Sequence, residues 1–264
     1  MKNYLIDTHA HINLMLNNND ETDASDEQIK EYLKSAEDNR VKKIVVPSVD
    51  IKTIEKVIEI AEKYENVYSM VGIFPTEAQT YTSETEKMLE KLAQSSKCVA
   101  VGETGLDYYW DKTYNELQKE VFVKQIKLAN KLNLPIVVHD REAHKDTFDL
   151  LKEHNKGEKV LFHCFSGSVE FMRECTKEGW YIAIGGVVTF KNAVKMKEVA
   201  KEVPIDKLVL ETDSPYLTPV PFRGKPNQPA YIKYAAEEIS KLRGVDISEI
   251  INITTANAEE FFGI

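Results

Sequence analysis

At 264 residues the chain is long for one small domain and short for two, a length at which α/β barrels of about 200–250 residues form as one unit. Hydrophobic residues make up 42% and charged residues 29%, a globular balance that excludes extended disorder, and no apolar run reaches the roughly 18 residues of a membrane helix. The net charge of −9 excludes a protein that holds nucleic acid through bulk counterion release, but not an enzyme whose positive charge is local.

Eight apolar, β-rich runs follow one another: Tyr4–Ile6, Lys43–Val46, Val67–Gly72, Cys98–Gly102, Pro135–His139, Lys159–His163, Tyr181–Ile184 and Leu208–Glu211. Most are near-continuous rather than alternating, the pattern of a parallel sheet covered by helices. After the first run, 17–26 is polar and acidic and reads as a solvated loop entering the first helix. Between the second and third runs, Ile54, Val57, Ile58 and Ala61 form a helical stripe; Val121, Phe122, Gln125, Leu128 and Leu132 repeat the rhythm before the fifth. After the eighth run, PYLTPVPFRGKPNQP reads as a long ordered loop. Two helices end the chain, Ala230–Lys241 and Asp246–Phe262, the second broken near Ile253. Strand–helix repeats over this length predict a single-domain (β/α)8 TIM barrel spanning 1–264, with an extra C-terminal helix. A doubly wound open sheet is the other arrangement, but it usually carries a glycine-rich phosphate turn where this chain has DTHAH.

Cys98, Cys164 and Cys175 are an odd number without CxxC spacing, so neither a disulfide framework nor a thiolate zinc site is expected. Together with Asp7 and two histidines where a leader peptide would need its apolar core, they point to a reduced cytoplasmic compartment.

Chemistry gathers where the apolar runs stop. Asp7, His9 and His11 follow the first run and Glu103 the fourth; His139 and His163 end the fifth and sixth, and Glu211 and Asp213 close the eighth. A barrel brings the C-terminal ends of its strands to one face, so residues two hundred positions apart become neighbours. His9 and His11, at i and i+2, share one face of an extended segment. Four histidines and several carboxylates in one cavity make a divalent-metal site the natural reading, because buried without a cation they would leave many polar groups to satisfy. His144 and His154 lie in a helical segment and read as bystanders.

Five motifs in order resemble the TatD family of metal-dependent deoxyribonucleases, a branch of the amidohydrolase-like barrels. They are DTHAH at 7–11, GETGLDYYW at 102–110, PIVVHDREA at 135–143, HCFSG at 163–167 and ETDSPYLTP…RGKPNQP at 211–229. The resemblance covers nearly the whole chain. It implies that His9, His11 and Asp213 hold one metal ion, that His139 and His163 hold a second, and that Glu103 bridges the two. A carboxylate there spans ions about 3.5–4 Å apart without the carbamylated lysine of many amidohydrolases. One motif departs from the pattern: the family's Gly-x-His-Pro reads GIFP, with Phe74 in place of a histidine thought to contact substrate phosphate. Phe74 is either a stacking surface for a base or a neutral replacement.

The resulting expectation is a phosphodiesterase with two divalent ions, cutting DNA 3′→5′ from an end, with RNA ends also in view. Nucleic acid is the partner as substrate; no membrane and no obligate protein partner is expected. Asp213 would orient the nucleophile, with Glu103 as its catalytic companion and Glu211 orienting a histidine. Arg141 and Arg223 carry forks suited to phosphate, although Arg141 equally fits an ion pair with Glu103, Glu211 or Asp213. Tyr108, Tyr109 and Trp110 would supply a stacking wall, or ordinary rim packing. Imidazole ligands favour zinc, manganese, cobalt or nickel, whereas the resemblance implies magnesium. The alternatives are an amidohydrolase acting on a small amide, ester or lactone, and a catalytically silent binding module.

Overall fold

The structure, a computed structural model, describes residues 2–17, 20–110 and 112–264. Eight parallel strands stand in sequence order, each paired with the next: β1 (Leu5–Asp7), β2 (Val41–Pro47), β3 (Val67–Val71), β4 (Cys98–Asp107), β5 (Ile136–Arg141), β6 (Val160–Phe162), β7 (Tyr181–Ile184) and β8 (Leu208–Leu210). The surrounding helices are α1 (Asp26–Asp38), α2 (Ile51–Lys63), α3 (Ser83–Leu92), α4 (Asn115–Leu132), α5 (His144–His154), α6 (Val169–Lys177), α7 (Val194–Glu202), α8 (Ile232–Arg243) and α9 (Ile247–Phe262). This is the expected (β/α)8 barrel with an additional C-terminal helix.

Alternation along the strands splits the core in two. Residues such as Ile44, Val46 and Val138 face the helices, while Ile6, Val45, Met70, Val137, Leu161 and Val209 fill the cylinder. Phe261 and Phe262 of α9 join that inner cluster and plug the N-terminal end, Phe261 lying edge-on to Tyr181 at 5.3 Å. The four apolar positions of the α2 stripe are buried. Capping boxes at Ser25 with Gln28 and Asp50 with Thr53 fix the starts of α1 and α2.

The cylinder closes between β8 and β1 through a mixed seam rather than a regular ladder. Thr8 donates its amide to the Leu210 carbonyl at 3.2 Å, Asp213 to that of His9 at 2.9 Å, and His11 to that of Ser214 at 2.7 Å. Between them, the Asp7 carboxylate accepts from the Thr212 amide at 2.9 Å and the Thr212 hydroxyl at 2.6 Å. Asp7 is therefore a strut of the seam. Burial pushes its carboxyl up to about 7 despite these hydrogen bonds.

Three expectations need correction. The segment 17–26, read as a solvated loop, overlaps an antiparallel pair of strands, Leu14–Asn17 against Asp20–Asp23. Ladder bonds satisfy its backbone, and Glu21, Thr22 and Asp23 are exposed, so that strand needs no apolar alternation. Helix α9 runs without a break through Ile253. The polar side chains that follow Ile253 are anchored: Thr254 donates to Ile250 O, Thr255 to Tyr4 O, and Asn257 to Ile205 O and Leu208 O. Strand β4 continues past Gly102 to Asp107, with its register shifting between Val101 and Thr104. Among the described residues no helix is long and apolar enough to cross a membrane.

Candidate metal centre

The C-terminal mouth of the barrel is built by short departures from regular strand. After β1 the chain bends at Thr8 and His9, and Ala10, between the two histidines, is bridged to Ser214. Glu103 sits at the register shift of β4, its amide donating to Ser48 O at 3.3 Å. Beyond it, Gly105 (φ +144°) passes so close to β5 that a Cβ there would lie 2.0 Å from the His139 carbonyl oxygen. Only glycine lets β4 and β5 approach at this point.

The six residues expected to meet do meet, in two lobes around one carboxylate. Glu103 Oε2 lies 3.2 Å from His9 Nε2 and 3.9 Å from His11 Nε2. Asp213 Oδ1 completes that lobe at 3.8 Å from His9 Nε2 and 3.6 Å from His11 Nε2. Glu103 Oε1 turns the other way, 2.7 Å from His163 Nε2 and 3.1 Å from His139 Nδ1. Ring nitrogens also face one another, 3.3 Å apart, within His9–His11 and within His139–His163. The His9 and His163 rings stack with centroids 3.9 Å apart.

Every one of these side chains is largely removed from water, Asp213 and His139 being the most open. Burial, reinforced by the charge of His163, lowers the His9 imidazole to about 4. Burial would raise Glu103, yet the charges of His163 and His9 and hydrogen bonds from His139 and His163 outweigh it and hold the carboxyl well below its usual range. Glu103 is thus an anion that accepts, among imidazoles of which one is held neutral. Imidazole nitrogens converging on both oxygens of a buried carboxylate suit divalent-metal binding. Two overlapping sets, His9–His11–Asp213 and His9–Glu103–His163, have donor atoms close enough together to hold an ion.

Asp107, absent from the expected set, organises one flank. Its Oδ2 lies 2.9 Å from His139 Nε2, and its Oδ1 accepts the amides of Tyr109 at 2.8 Å and Trp110 at 3.1 Å. Burial would pull His139 down, but hydrogen bonds to Asp107 and Glu103 lift it to about 9. Its sequence signal was present in the GLDYYW segment, where an acid precedes three aromatics.

Glu211 is buried beneath the centre, accepting the Cys164 amide at 2.6 Å, with Oε2 3.8 Å from His163 Nδ1. That distance is contact rather than a hydrogen bond. Burial and the Asp213 charge push its carboxyl well above the usual range. Arg141 forms no ion pair with Glu103, Glu211 or Asp213 among the described residues, which removes that reading. Its guanidinium instead lies 3.8 Å from the Tyr109 ring centroid and 5.2 Å from that of Trp110. Arg223 lies 4.0 Å over the Phe190 ring and donates to Thr218 O at 3.1 Å. Phe74 packs edge-on against the His139 ring, with centroids 4.6 Å apart. Tyr108 turns away to hydrogen-bond Asp146 at 2.8 Å. His144 is bonded to Asp140 at 2.7 Å and His154 stands beside Glu153, both apart from the cluster.

The sequence model of the family described as TatD related DNase matches residues 6–263. An uncharacterized metal-dependent hydrolase of Bacillus subtilis, YabD, is 45% identical, the match covering 98% of this chain and 99% of the relative. The 3′-5′ ssDNA/RNA exonuclease TatD of Shigella flexneri is 32% identical over 86% of this chain and 90% of its own. The crystal structure of YjjV, a TatD homologue of Escherichia coli, superposes with a TM-score of 0.89 at 28% identity, covering 98% of each chain.

Proposed function

The chain belongs to the TatD-related DNase family, and from that premise we propose that it is a divalent-metal-dependent 3′→5′ exonuclease on DNA, with RNA ends within its reach. One observation carries the reading: both oxygens of Glu103 are engaged, each facing its own set of imidazoles. The exonuclease name of the Shigella relative supports the substrate class.

His9, His11 and Asp213 would hold one cation, His139 and His163 the second, and Glu103 both. Bound there, two divalent ions supply Lewis-acid polarisation of the phosphoryl oxygen and water of lowered pKa. Asp213, on the open side of its lobe, orients the attacking water and accepts its proton at the carboxylate. Glu103 keeps the two lobes in register. Glu211 backs His163 from below through contact, a positioning role. Arg223 on the β8 loop would meet the nucleic-acid backbone at the rim. Two divalent cations would outweigh the carboxylates of Glu103, Asp107 and Asp213, so the loaded cavity would be locally positive within a chain of net charge −9, which favours a terminus over a long duplex face.

The test is an end-labelled single-stranded oligonucleotide incubated with purified protein and, in turn, zinc, manganese, magnesium, cobalt or nickel. Stepwise release of 5′-mononucleotides, abolished in Asp213→Ala, is the expected result. Hydrolysis of small esters, amides or lactones with no nucleotide release under any metal would replace this reading with the amidohydrolase one.

A further inference from the structure

The loop after β4 leaves two large aromatic side chains in water. Trp110 is 67% exposed and Tyr109 is 49% exposed, the rings meeting edge to face with centroids 5.0 Å apart. Most exposed aromatics are incidental, but three features set this pair apart. Their backbone is fixed: the amides of both residues are bound by the Asp107 oxygen whose twin holds His139. Their faces carry a cation, since Arg141 stacks on Tyr109 at 3.8 Å and lies near Trp110. Finally, Arg141 is two residues beyond His139 on β5, on the same strand face and about 6.5 Å nearer the mouth.

This cationic aromatic shelf, two rings 84° apart with a guanidinium over one of them and tied through one carboxylate to the chemical centre, matches a nucleobase that meets one ring face-on and the other edge-on. Every base offers a π-face, so stacking of this kind tolerates sequence, while a guanidinium plane extends the stack. A phosphate clamp would instead hold its fork open toward the anion.

We propose that Tyr109, Trp110 and Arg141 form a base-stacking subsite that holds the nucleobase next to the scissile phosphodiester of a single-stranded end. The subsite rests on the nuclease reading for its role, but its ligand is the base itself. It determines specificity for single strands, because a base in a duplex has no free face to offer. Asp107 is its positioning residue, fixing the shelf relative to His139.

The experiment uses metal-loaded protein and two oligonucleotides that differ only in an intact or an abasic 3′-terminal nucleotide. Wild type is expected to show a KM on the order of 5- to 100-fold lower for the intact end. Trp110→Leu and Tyr109→Leu, both at exposed positions, shrink that ratio toward one. Binding is read separately by tryptophan fluorescence: a short single-stranded oligonucleotide quenches wild type, and the quench is lost in Trp110→Leu. Quenching without any cleavage by wild type would sink the nuclease reading and uphold the shelf. Cleavage with an undiminished intact-to-abasic ratio in both variants and no Trp110-dependent quench would overturn the shelf and leave the nuclease standing. Neither cleavage nor quenching would overturn both.

Discussion

The carboxylate of Asp107 and the imidazole of His139 are joined at 2.9 Å through Nε2, leaving His139 Nδ1 to face Glu103 at 3.1 Å. Hydrogen bonds at both nitrogens favour the imidazolium while no cation is present; once a cation displaces the Nδ1 proton, Asp107 would keep the other on Nε2, so that Nδ1 presents its lone pair to the centre. Asp107→Asn offers an amide that still accepts the Tyr109 and Trp110 backbone protons but no longer compels that tautomer. Metal affinity at the His139 lobe is expected to fall about 10- to 100-fold with folding retained. Calorimetric titration of apo protein, with circular dichroism as control, checks it; unchanged affinity for both ions would refute the role.

Glu103→Gln keeps the shape and one acceptor oxygen but turns an amide N–H₂ toward the other lobe. Wild type is expected to carry two divalent ions per chain and the variant one or fewer, with turnover lost and the barrel intact. Elemental analysis of protein dialysed against trace metal gives the stoichiometry. Two tightly held ions in the variant would contradict the bridging assignment.

Because the cluster gathers buried donors from five strands or strand ends, cation binding should stabilise the native state by mass action. At a free ion concentration a hundredfold above Kd the gain is about 2.7 kcal/mol. Thermal melts should rise with added metal and fall again with chelator. A melting point indifferent to both would mean the site is not a cation site.

Gln125 occupies an apolar stripe of α4, fully buried, yet it accepts the Ile73 amide at 2.8 Å and donates to Ile73 O at 3.0 Å and Thr104 Oγ1 at 2.6 Å. It pins the segment that carries Phe74 onto His139. Gln125→Leu strands the Ile73 amide and carbonyl and should cost about 2–4 kcal/mol in urea unfolding. A loss below about 0.5 kcal/mol would show that water or relaxation replaces those bonds.

Thr212→Val removes the 2.6 Å hydroxyl bond to Asp7 while keeping the amide bond. A buried carboxylate then loses a donor at the barrel seam, a cost of about 1–3 kcal/mol. Thr212→Ser should recover most of it. Equal stability of the Val and Ser variants would remove the hydroxyl from the account.

The barrel was legible because eight apolar runs are long-range signals that survive local irregularity, and the centre because His9, His11, Glu103, His139, His163 and Asp213 stand at their ends. What was missed depends on partners distant in sequence. Asp107 gains its meaning from His139 on the neighbouring strand, and the glycines at 102 and 105 hid the continuation of β4 by interrupting its apolar pattern. The charge of Arg141 suggested a carboxylate partner, but a guanidinium has flat faces as well as an edge, and Tyr109 takes one. The pairing of Leu14–Asn17 with Asp20–Asp23 escaped because a two-stranded ribbon owes its form to backbone pairing, which leaves no periodic trace.

His9 and Asp213 belong to segments at opposite ends of the chain that touch only because the first and eighth strands meet. A cation shared by His9, His11 and Asp213 would therefore act as a clasp, fastening the staves of the cylinder where regular pairing is thinnest. In metal-poor surroundings this is where local opening should start, baring the edges of β1 and β8. Hydrogen exchange at the Thr8 and Asp213 amides, faster without metal than with it, would register the clasp coming undone.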